Sequence, residues 1–449
     1  MTQGSPWRHI LRFALPVLAG SLLQQLYNTV DTIVVGRVVG EDALSAVGTT
    51  GSFAFLFLAL ATGFSAGNGV VVAQYYGAGD NDKVRANAST GILLMLGMSI
   101  LATIAGLIVA RPAFTHLVAV EESLLEQTLQ YFWVYTLGLF FQFGYNIFSS
   151  ILRAVGDSAA TLYFLLISSV SNIALDLLFV AGFKWGVVGA ALATDIAQAG
   201  SFVAAWFYMT RKYPIFRFKP REFTYDWALA KQTLVTGFPI ALQLVIVSFG
   251  LTFIQRAVNE FKEAMTASFT VGYRIELYMN LPCSAFQTTL ATYTGQNIGA
   301  GRLDRVKKGV RQAMAMSLAL TLCLSALVWL LAGNIISLFN LSEQASVYCL
   351  AHIRTIALVN IILSLYIPLF GVFQGANHGS AATLVAVGAL SVRVLTTYLF
   401  RYSPFLGYRI IWCNGLFGFG TGFLIAWSYY LSGRWQKGSA IETLAAPAE

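Results

Sequence analysis

Charged residues are scarce in this chain. They make up 11% of its 449 residues, whereas hydrophobic residues make up 57%. A typical soluble domain carries about 25% charged residues, so this composition excludes an ordinary soluble globular protein. The hydrophobic runs are also too long and continuous for the alternating strands of a membrane β-barrel. The composition therefore indicates a chain that spans a membrane as helices.

Cysteine is rarer still, with four residues in the chain, and its placement argues against a metal centre. No predicted span contains a Ser/His pair or a His-Glu-x-x-His motif, so an intramembrane enzyme is disfavoured. We expect a protein that is not an enzyme and holds no cofactor. The four cysteines are scattered through hydrophobic segments and lack the spacing of a Cys/His metal site. We expect them to pack as small hydrophobic side chains. They are Cys283, Cys323, Cys349 and Cys413.

Long hydrophobic runs recur from end to end. A helix needs about 20 hydrophobic residues to cross a bilayer, and it satisfies its own backbone hydrogen bonds there. The sequence therefore predicts an all-α polytopic membrane protein with about twelve transmembrane helices. The predicted spans lie near residues 10–36, 43–74, 87–110, 127–152, 160–182, 186–209, 229–259, 264–296, 310–333, 345–375, 381–400 and 408–431.

Basic residues alternate between the predicted loops, and this pattern indicates the topology. The formal net charge is +8, and the most polar interior segment, 209–228, is rich in Lys and Arg. By the positive-inside rule, this segment and both termini are cytoplasmic. We interpret the segment as a linker between an N-terminal lobe, 1–208, and a C-terminal lobe, 229–449. Basic loops can also recruit anionic lipid, but this pattern does not indicate nucleic-acid binding.

The two halves of the chain repeat each other. Segment 74–79 (Gln-Tyr-Tyr-Gly-Ala-Gly) matches segment 296–301 (Gln-Asn-Ile-Gly-Ala-Gly) at a shift of 299 − 77 = 222 residues, and Pro16 aligns with Pro239. Six spans return the chain to its starting side, so the repeats are parallel. Two pseudo-symmetric six-helix lobes around a central cavity are a common transporter plan. A duplication that only enlarges a structural bundle is the alternative.

Two acids lie inside hydrophobic runs. A carboxylate near the bilayer centre costs roughly 2.5–3.5 kcal/mol on insertion scales, so such groups usually line a polar cavity and handle ions or protons. Gln24, Asn28 and Asp31 share one helical face on the first span. Asn172 lies one turn before Asp176 on the fifth span.

A third polar stripe, Thr194, Gln198 and Ser201, lies on the sixth span. If the stripes converge, they form an oxygen-rich pocket that suits a hard cation or a proton. Two adjacent carboxylates titrate as a coupled unit, and binding changes which conformation is stable. The alternative is that these groups only hydrogen-bond helices together. Asp195 points about 100° away from Thr194, and its role stays open.

Six short motifs occur in a characteristic order: Leu15-Pro16, Tyr27-Asn28-x-x-Asp31-x-x-x-x-Gly36, 43–48 (Ala-Leu-Ser-Ala-Val-Gly), 77–80 (Gly-Ala-Gly-Asp), 153–157 (Arg-Ala-Val-Gly-Asp) and 186–191 (Gly-Val-Val-Gly-Ala-Ala). With them the chain resembles the MATE (multidrug and toxic compound extrusion) transporter family over nearly its whole length. The resemblance implies two six-helix lobes around a V-shaped cavity. It also implies antiport, in which sodium ions or protons enter while a substrate leaves.

The resemblance further implies an ion site in the first lobe. The family uses an acid on the first helix, an Asn-x-x-x-Asp pair on the fifth and a Thr on the sixth. Pro16 matches a first-helix proline whose bending is linked to protonation in some members. The coupling ion is H⁺ or Na⁺, and no other metal is expected. The matching residues, with Tyr27 as a supporting ligand, are Asp31, Asn172, Asp176 and Thr194.

The second half departs from this pattern. Acids that some branches carry on the seventh and tenth helices are missing, which favours coupling through the first lobe. Instead, Arg256, Arg274, Glu276 and Arg393 lie in or near spans, and we expect Glu276 to pair with Arg393 across helices. Such a pair is either structural or part of a wall that contacts an anionic or zwitterionic substrate. Candidates for the substrate cavity are Gln24, Asn28, Gln142, Tyr145, Asn146, Gln198, Glu276 and Arg393.

Together these features predict a secondary active antiporter that exports amphipathic organic compounds or drugs in exchange for H⁺ or Na⁺. Its location is the inner membrane if the source is bacterial. A lipid or lipid-linked oligosaccharide flippase is the alternative, because basic residues in the second lobe suit phosphate groups. The expected partners are a small amphipathic substrate and membrane lipids, and we expect a monomer.

Overall fold

The described part of the chain is helical. The computed structural model describes residues 1–261, 263–339 and 341–437. The side chains at 31–35, 37, 41, 42, 44 and 220 lie outside this description. Across the residues that are described, α-helices are joined by short turns and there is no β-strand. The predicted all-α fold class is confirmed.

Fourteen α-helices occur in the described residues. Those of the first half are α1 (Pro6–Val38), α2 (Glu41–Ala78), α3 (Asn81–Pro112), α4 (Glu122–Leu137), α5 (Leu139–Ala154), α6 (Ser158–Asp176) and α7 (Gly186–Lys212). Those of the second half are α8 (Trp227–Asn259), α9 (Glu263–Gly299), α10 (Leu303–Ser337), α11 (Glu343–Ser364), α12 (Ile367–Gly375), α13 (Gly379–Phe400) and α14 (Ile410–Leu431). Only Gly138 separates α4 from α5, and only two residues separate α11 from α12, so each pair forms one broken span.

Ten helical segments of the described chain are long and hydrophobic enough to cross a membrane. The other two of the predicted twelve are the broken α4–α5 pair and α9. The second of these carries Glu263, Arg274 and Glu276. Charged groups are tolerated within spans that face the protein interior, so their presence does not exclude α9 as a span.

The helix boundaries repeat along the chain. Helices α1 and α8 begin 227 − 6 = 221 residues apart, α4 and α11 begin 343 − 122 = 221 apart, and α6 and α13 begin 379 − 158 = 221 apart. The sequence repeat is therefore also a structural repeat, which extends over helices that share no obvious motif.

The chain forms two compact units that are interleaved in sequence. The first unit is Ala19–Ala241, and the second combines Met1–Leu18 with the chain from Leu242 onward. The start of α1 belongs to the second unit, where Ile10 and Ala14 are buried in a hydrophobic core with Leu290 of α9. Each boundary falls two residues after a proline, Pro16 or Pro239. The lobes 1–208 and 229–449 and the linker 209–228 stay predictions.

The Gly-Ala-Gly-Asp motif makes the turn between α2 and α3. Gly79 has a φ of 79°, a left-handed conformation that glycine adopts without strain. The Asp80 side chain accepts a hydrogen bond of 3.0 Å from the backbone N–H of Lys83 and so caps α3. Gly301 has a φ of 68° at the matching turn after α9. The motif therefore ends one helix and starts the next.

Glycine pairs allow close helix packing within each unit. In the first unit, a Cβ on Gly63 would lie 2.5 Å from the Ala241 backbone, and one on Gly67 would lie 2.5 Å from Gly237. In the second unit, a Cβ on Gly371 would collide with the Gln287 carbonyl. Such small residues let backbones approach where lipid supplies no hydrophobic driving force.

Candidate functional site

The predicted ion site has its described part on α6 and α7 of the first unit. Helix α6 places Asn172 and Asp176 one turn apart on the same face, and the two residues are 1% and 0% exposed. Thr194 lies opposite them on α7, which packs along α6. The site is therefore buried at the interface of two helices that a short connection joins.

The Asn172 amide bridges the other two residues. In the orientation that satisfies both of its ends, its NH₂ group donates to Asp176 Oδ2 at 2.9 Å and its oxygen accepts from the Thr194 backbone N–H at 3.2 Å. The opposite orientation leaves the oxygen facing only acceptors, so the network itself fixes the choice. The structure thus brings together three of the five residues predicted for the ion site, Asn172, Asp176 and Thr194.

Helix α6 changes its winding directly after Asp176. Residues Leu177–Gly182 form a π-helical turn, the wider winding that occurs mostly as short insertions, often at functional sites. The acid is therefore the last α-helical residue before the irregular turn. Sequence reasoning missed this feature because the hydrophobic run is continuous through it.

The predicted site residues of α1 are described less fully. The Asp31 backbone lies in α1, but its side chain lies outside the described residues, so its approach to Asp176 stays a prediction. Tyr27 is half-buried, whereas Gln24 and Asn28 are exposed. All four lie in the first unit, downstream of Pro16.

The predicted cavity residues of α5 form hydrogen bonds within the first unit, whereas the one on α7 does not use its side-chain oxygen towards any described residue. The Gln142 side chain accepts from Tyr135 Oη at 3.4 Å, and its backbone carbonyl accepts from the Asn146 amide at 2.8 Å. Tyr145 Oη donates to the Thr161 carbonyl at 3.4 Å and so ties α5 to α6. The side-chain oxygen of Gln198 is buried without a hydrogen-bond partner among the described residues. Their contact with substrate stays a prediction.

Asp195 lies against the break between α4 and α5. A Cβ on Gly138 would overlap the Asp195 carboxylate, so a larger residue there would require this side chain to move. Asp195 is therefore placed towards the α4–α5 break, whereas its neighbour Thr194 faces Asn172. The sequence leaves the role of Asp195 open. The only local sequence signal for the break between α4 and α5 is a glycine, Gly138, in a hydrophobic run.

The second unit holds a different polar group. Arg393 Nη1 of α13 lies 3.9 Å from Glu276 Oε1 of α9, and Arg393 Nε donates to Asn414 Oδ1 of α14 at 2.9 Å. The guanidinium also lies over the Phe419 ring, 4.7 Å from its centroid. The predicted approach of Glu276 to Arg393 is present, but Arg256 and Arg274 are exposed and take no part. Sequence reasoning missed Asn414.

Just before the start of α6, outside the predicted membrane span, Asp157 accepts hydrogen bonds from three side chains. Its Oδ2 accepts from Lys212 Nζ at 2.8 Å and from the hydroxyls of Tyr208 and Tyr213 at 2.9 Å each. Burial alone would raise the pKa of Asp157, but these hydrogen bonds and one from the Ala160 backbone outweigh it and lower that pKa. The cluster ties the start of α6 to the end of α7.

Among the described residues, no three His, Cys, Asp or Glu side chains gather as a metal site. The helical units, the repeat and the buried polar groups define a multi-pass membrane transporter. The sequence model of the MatE family matches residues 16–178 and 239–399, once in each half. The chain belongs to the MATE family of multidrug efflux transporters.

Known proteins resemble the chain over almost its full length. It is 27% identical to "Probable multidrug resistance protein YpnP" of Bacillus subtilis, covering 97% of both chains. It superposes on a crystal structure of MATE in complex with MaL6 with a TM-score of 0.91 at 24% identity, covering 97% of this chain and 98% of that one. A MOP superfamily transporter from Pyrococcus furiosus, described as having a binding pocket of reverse polarity, gives a TM-score of 0.90 at 24% identity, with 97% and 98% coverage. These structures share the fold.

Proposed function

We propose that the protein is a secondary active antiporter that exports amphipathic organic compounds in exchange for H⁺ or Na⁺. The observation that supports this proposal is the buried contact between Asn172 and Asp176 inside a membrane span. A carboxylate within a membrane span is costly, and such acids usually mark ion or proton pathways. The name of the Bacillus subtilis relative supports drugs as the class of substrate.

The chemistry of the site supports either coupling ion. The Asn172 amide donates to one Asp176 oxygen and so orients this carboxylate. A proton neutralises its charge, whereas Na⁺ would be held by the oxygens of Asp176 and its neighbours. We place Asp31 as the second carboxylate and Tyr27 as a supporting ligand. Loading with the ion changes which conformation is stable and so releases substrate outward.

Pro16 supports a role for α1 in this change. Proline removes a backbone hydrogen bond and bends a helix. It lies in α1 just before the helix passes from the second unit into the first. A change of bend at Pro16 would redirect the segment that carries Tyr27, Asn28 and Asp31.

Transport by reconstituted vesicles tests the proposal. Sodium and pH gradients are imposed separately, and export of a fluorescent drug is followed for the wild type and for Asp31→Asn and Asp176→Asn. We expect both variants to abolish gradient-driven export while the protein is still inserted. Asp82→Asn, an exposed acid in the first turn of α3, is the matched control and should export normally. Undiminished export by Asp176→Asn would refute the coupling site.

A lipid flippase is the second candidate, and one observation favours it. Arg393 places a cation within a predicted span of the second unit, where a phosphate could bind. Glu276 lies beside it and offsets that charge, which favours the antiporter. Scrambling of labelled lipid without dye export would favour the flippase.

We also place the protein in the inner membrane with both termini cytoplasmic, because the basic segment 209–228 and both termini would then share one side. Labelling of single cysteines introduced at residues 3 and 219, in intact cells and in inverted vesicles, tests this topology. Labelling of either position from outside intact cells would contradict it.

A further inference from the structure

The second unit contains a small, partly open cavity at the meeting of α9, α11, α13 and α14. It is lined by the Glu276–Arg393 pair, by His352 and by the rings of Trp412 and Phe419, among other residues. Its volume is about 10 Å³, enough for roughly one water molecule. His352 stacks between two rings, with centroids 5.5 Å from Phe269 and 5.6 Å from Trp412. The cavity thus has aromatic walls around one positive and one negative charge.

The two charges are incompletely satisfied. Their separation is 3.9 Å, whereas the pair formed by Arg401 and Glu260 is 2.6 Å apart. Glu276 makes no hydrogen bond to any residue that the structure describes, and Arg393 uses only its Nε, towards Asn414. Both side chains are 12% exposed. Buried charged groups are normally fully hydrogen-bonded, so this pair has unused donors and acceptors beside the cavity.

The internal repeat shows how this group relates to the ion site. Arg393 stands at the position of Asn172, at 393 − 172 = 221, and Asn414 stands at that of Ala193, at 414 − 193 = 221, next to Thr194. The contact between α13 and α14 thus replaces the contact between α6 and α7. Thr397 stands where Asp176 would be, at 397 − 176 = 221. The second unit thus has the cation of Arg393 where the first has the neutral amide of Asn172. Its acid, Glu276, comes from α9 and not from α13.

We infer that this cavity binds the polar group of a zwitterionic aromatic amphiphile, with its anionic group on Arg393 and its cationic group on Glu276. This inference rests on the proposed export function and names a substrate class for it. A simple cation is attracted by Glu276 but repelled by Arg393. A simple anion is attracted by Arg393 but repelled by Glu276. A zwitterion pairs with both charges. Binding must widen the water-sized space between α9 and α13, while Trp412 and Phe419 supply ring faces for stacking.

Two dyes of almost equal size and shape test this inference. Rhodamine B is zwitterionic at neutral pH in its open form, whereas its ethyl ester is a cation. Binding to the detergent-solubilised full chain is measured by fluorescence anisotropy, without any gradient. We expect the wild type to bind rhodamine B about tenfold more tightly than the ester, as one charge-assisted hydrogen bond implies.

Two single variants should change this preference in opposite directions. Arg393→Gln should remove it, because rhodamine B loses the partner of its carboxylate while the cationic ester is no longer repelled. Glu276→Gln should increase it, because the unpaired Arg393 then repels the ester. A preference that survives Arg393→Gln, or one that Glu276→Gln removes, would overturn the inference.

The double variant Glu276→Gln/Arg393→Gln avoids a lone buried charge, so it keeps the test open if a single variant misfolds. It should bind both dyes equally, and a wild-type preference in it would also overturn the inference. Because binding is measured without transport, missing export would count against the proposed function. If the wild type showed no preference for rhodamine B over its ester, that result would count against this inference alone.

Discussion

The Asn172 side chain reaches forward one helical turn and donates to Asp176 at 2.9 Å, while its other end accepts from the backbone of Thr194. Asn172 is therefore the residue that fixes the carboxylate relative to α7. We expect Asn172→Ala to weaken coupling-ion affinity by about 5- to 150-fold, because an unsatisfied buried acceptor costs about 1–3 kcal/mol. The measurement is the Na⁺ or H⁺ concentration that half-saturates drug export in vesicles.

A matched control for Asn172→Ala is Ser171→Ala, one residue earlier and off that face. It should leave the half-saturating concentration unchanged. Equal effects of the two substitutions would show that Asn172 acts only through general packing.

Gly138 and Asp195 are expected to be energetically coupled. A methyl group at 138 would overlap the Asp195 carboxylate, so Gly138→Ala should destabilise the protein by about 1–3 kcal/mol, the usual cost of overpacking. Asp195→Ala removes the colliding group. In a double-mutant cycle of thermal stabilities, the combined variant should recover at least half of the loss. Simple additivity of the two effects would show that the carboxylate moves aside without cost.

The close contact of α2 with the start of α8 predicts a position-dependent glycine effect. A Cβ on Gly67 would lie 2.5 Å from Gly237 and 2.8 Å from the Thr233 carbonyl. Gly67→Ala should therefore lower the free energy of unfolding by about 1–3 kcal/mol. Gly97→Ala in α3 meets open space, and it should gain about 0.5–1 kcal/mol because alanine loses less entropy in a helix. Thermal unfolding in one detergent compares them, and a loss at both sites would contradict the packing argument.

The Asp157 cluster predicts a pH-dependent contribution to stability. The hydrogen bonds from Lys212, Tyr213 and Tyr208 leave the pKa of Asp157 below its ordinary value of 3.8. The contribution is thus fully present above that ordinary value and is lost as the pH falls through the lowered pKa. Asp157→Asn should cost about 1–3 kcal/mol at pH 7. Its melting temperature should approach that of the wild type as the pH falls below 3.8. A difference between the two proteins that stays constant with pH would refute this account.

The fold and part of the site could be predicted from the sequence because hydropathy and helical spacing are local signals. The fold class, the internal repeat and the approach of Glu276 to Arg393 appear as expected. Asn172, Asp176 and Thr194 also lie together, although their role in coupling stays a prediction. A spacing of four residues fixes a helical face whatever the helix packs against.

The features that escaped prediction depend on tertiary packing. The break at Gly138 and the π-helical turn after Asp176 lie within continuous hydrophobic runs, where a hydropathy window gives no boundary. Asn414 and His352 carry no spacing signal, because their partners come from other helices. Nor does a sequence show that the first part of α1 packs with residues from beyond 241, since helical periodicity gives a face and not its neighbour.

This interleaving has a consequence for biosynthesis. Residues 1–18 are translated long before the segments with which they pack, which begin at Leu242. The second unit therefore cannot be completed until late in translation, and Ile10 and Ala14 must wait for α9 to emerge. A gene cut at the linker would encode two fragments. The first would carry the start of α1, which packs with the second fragment, and the second would carry the start of α8, which packs with the first. Neither polypeptide should fold alone, whereas co-expression should recover an assembled protein.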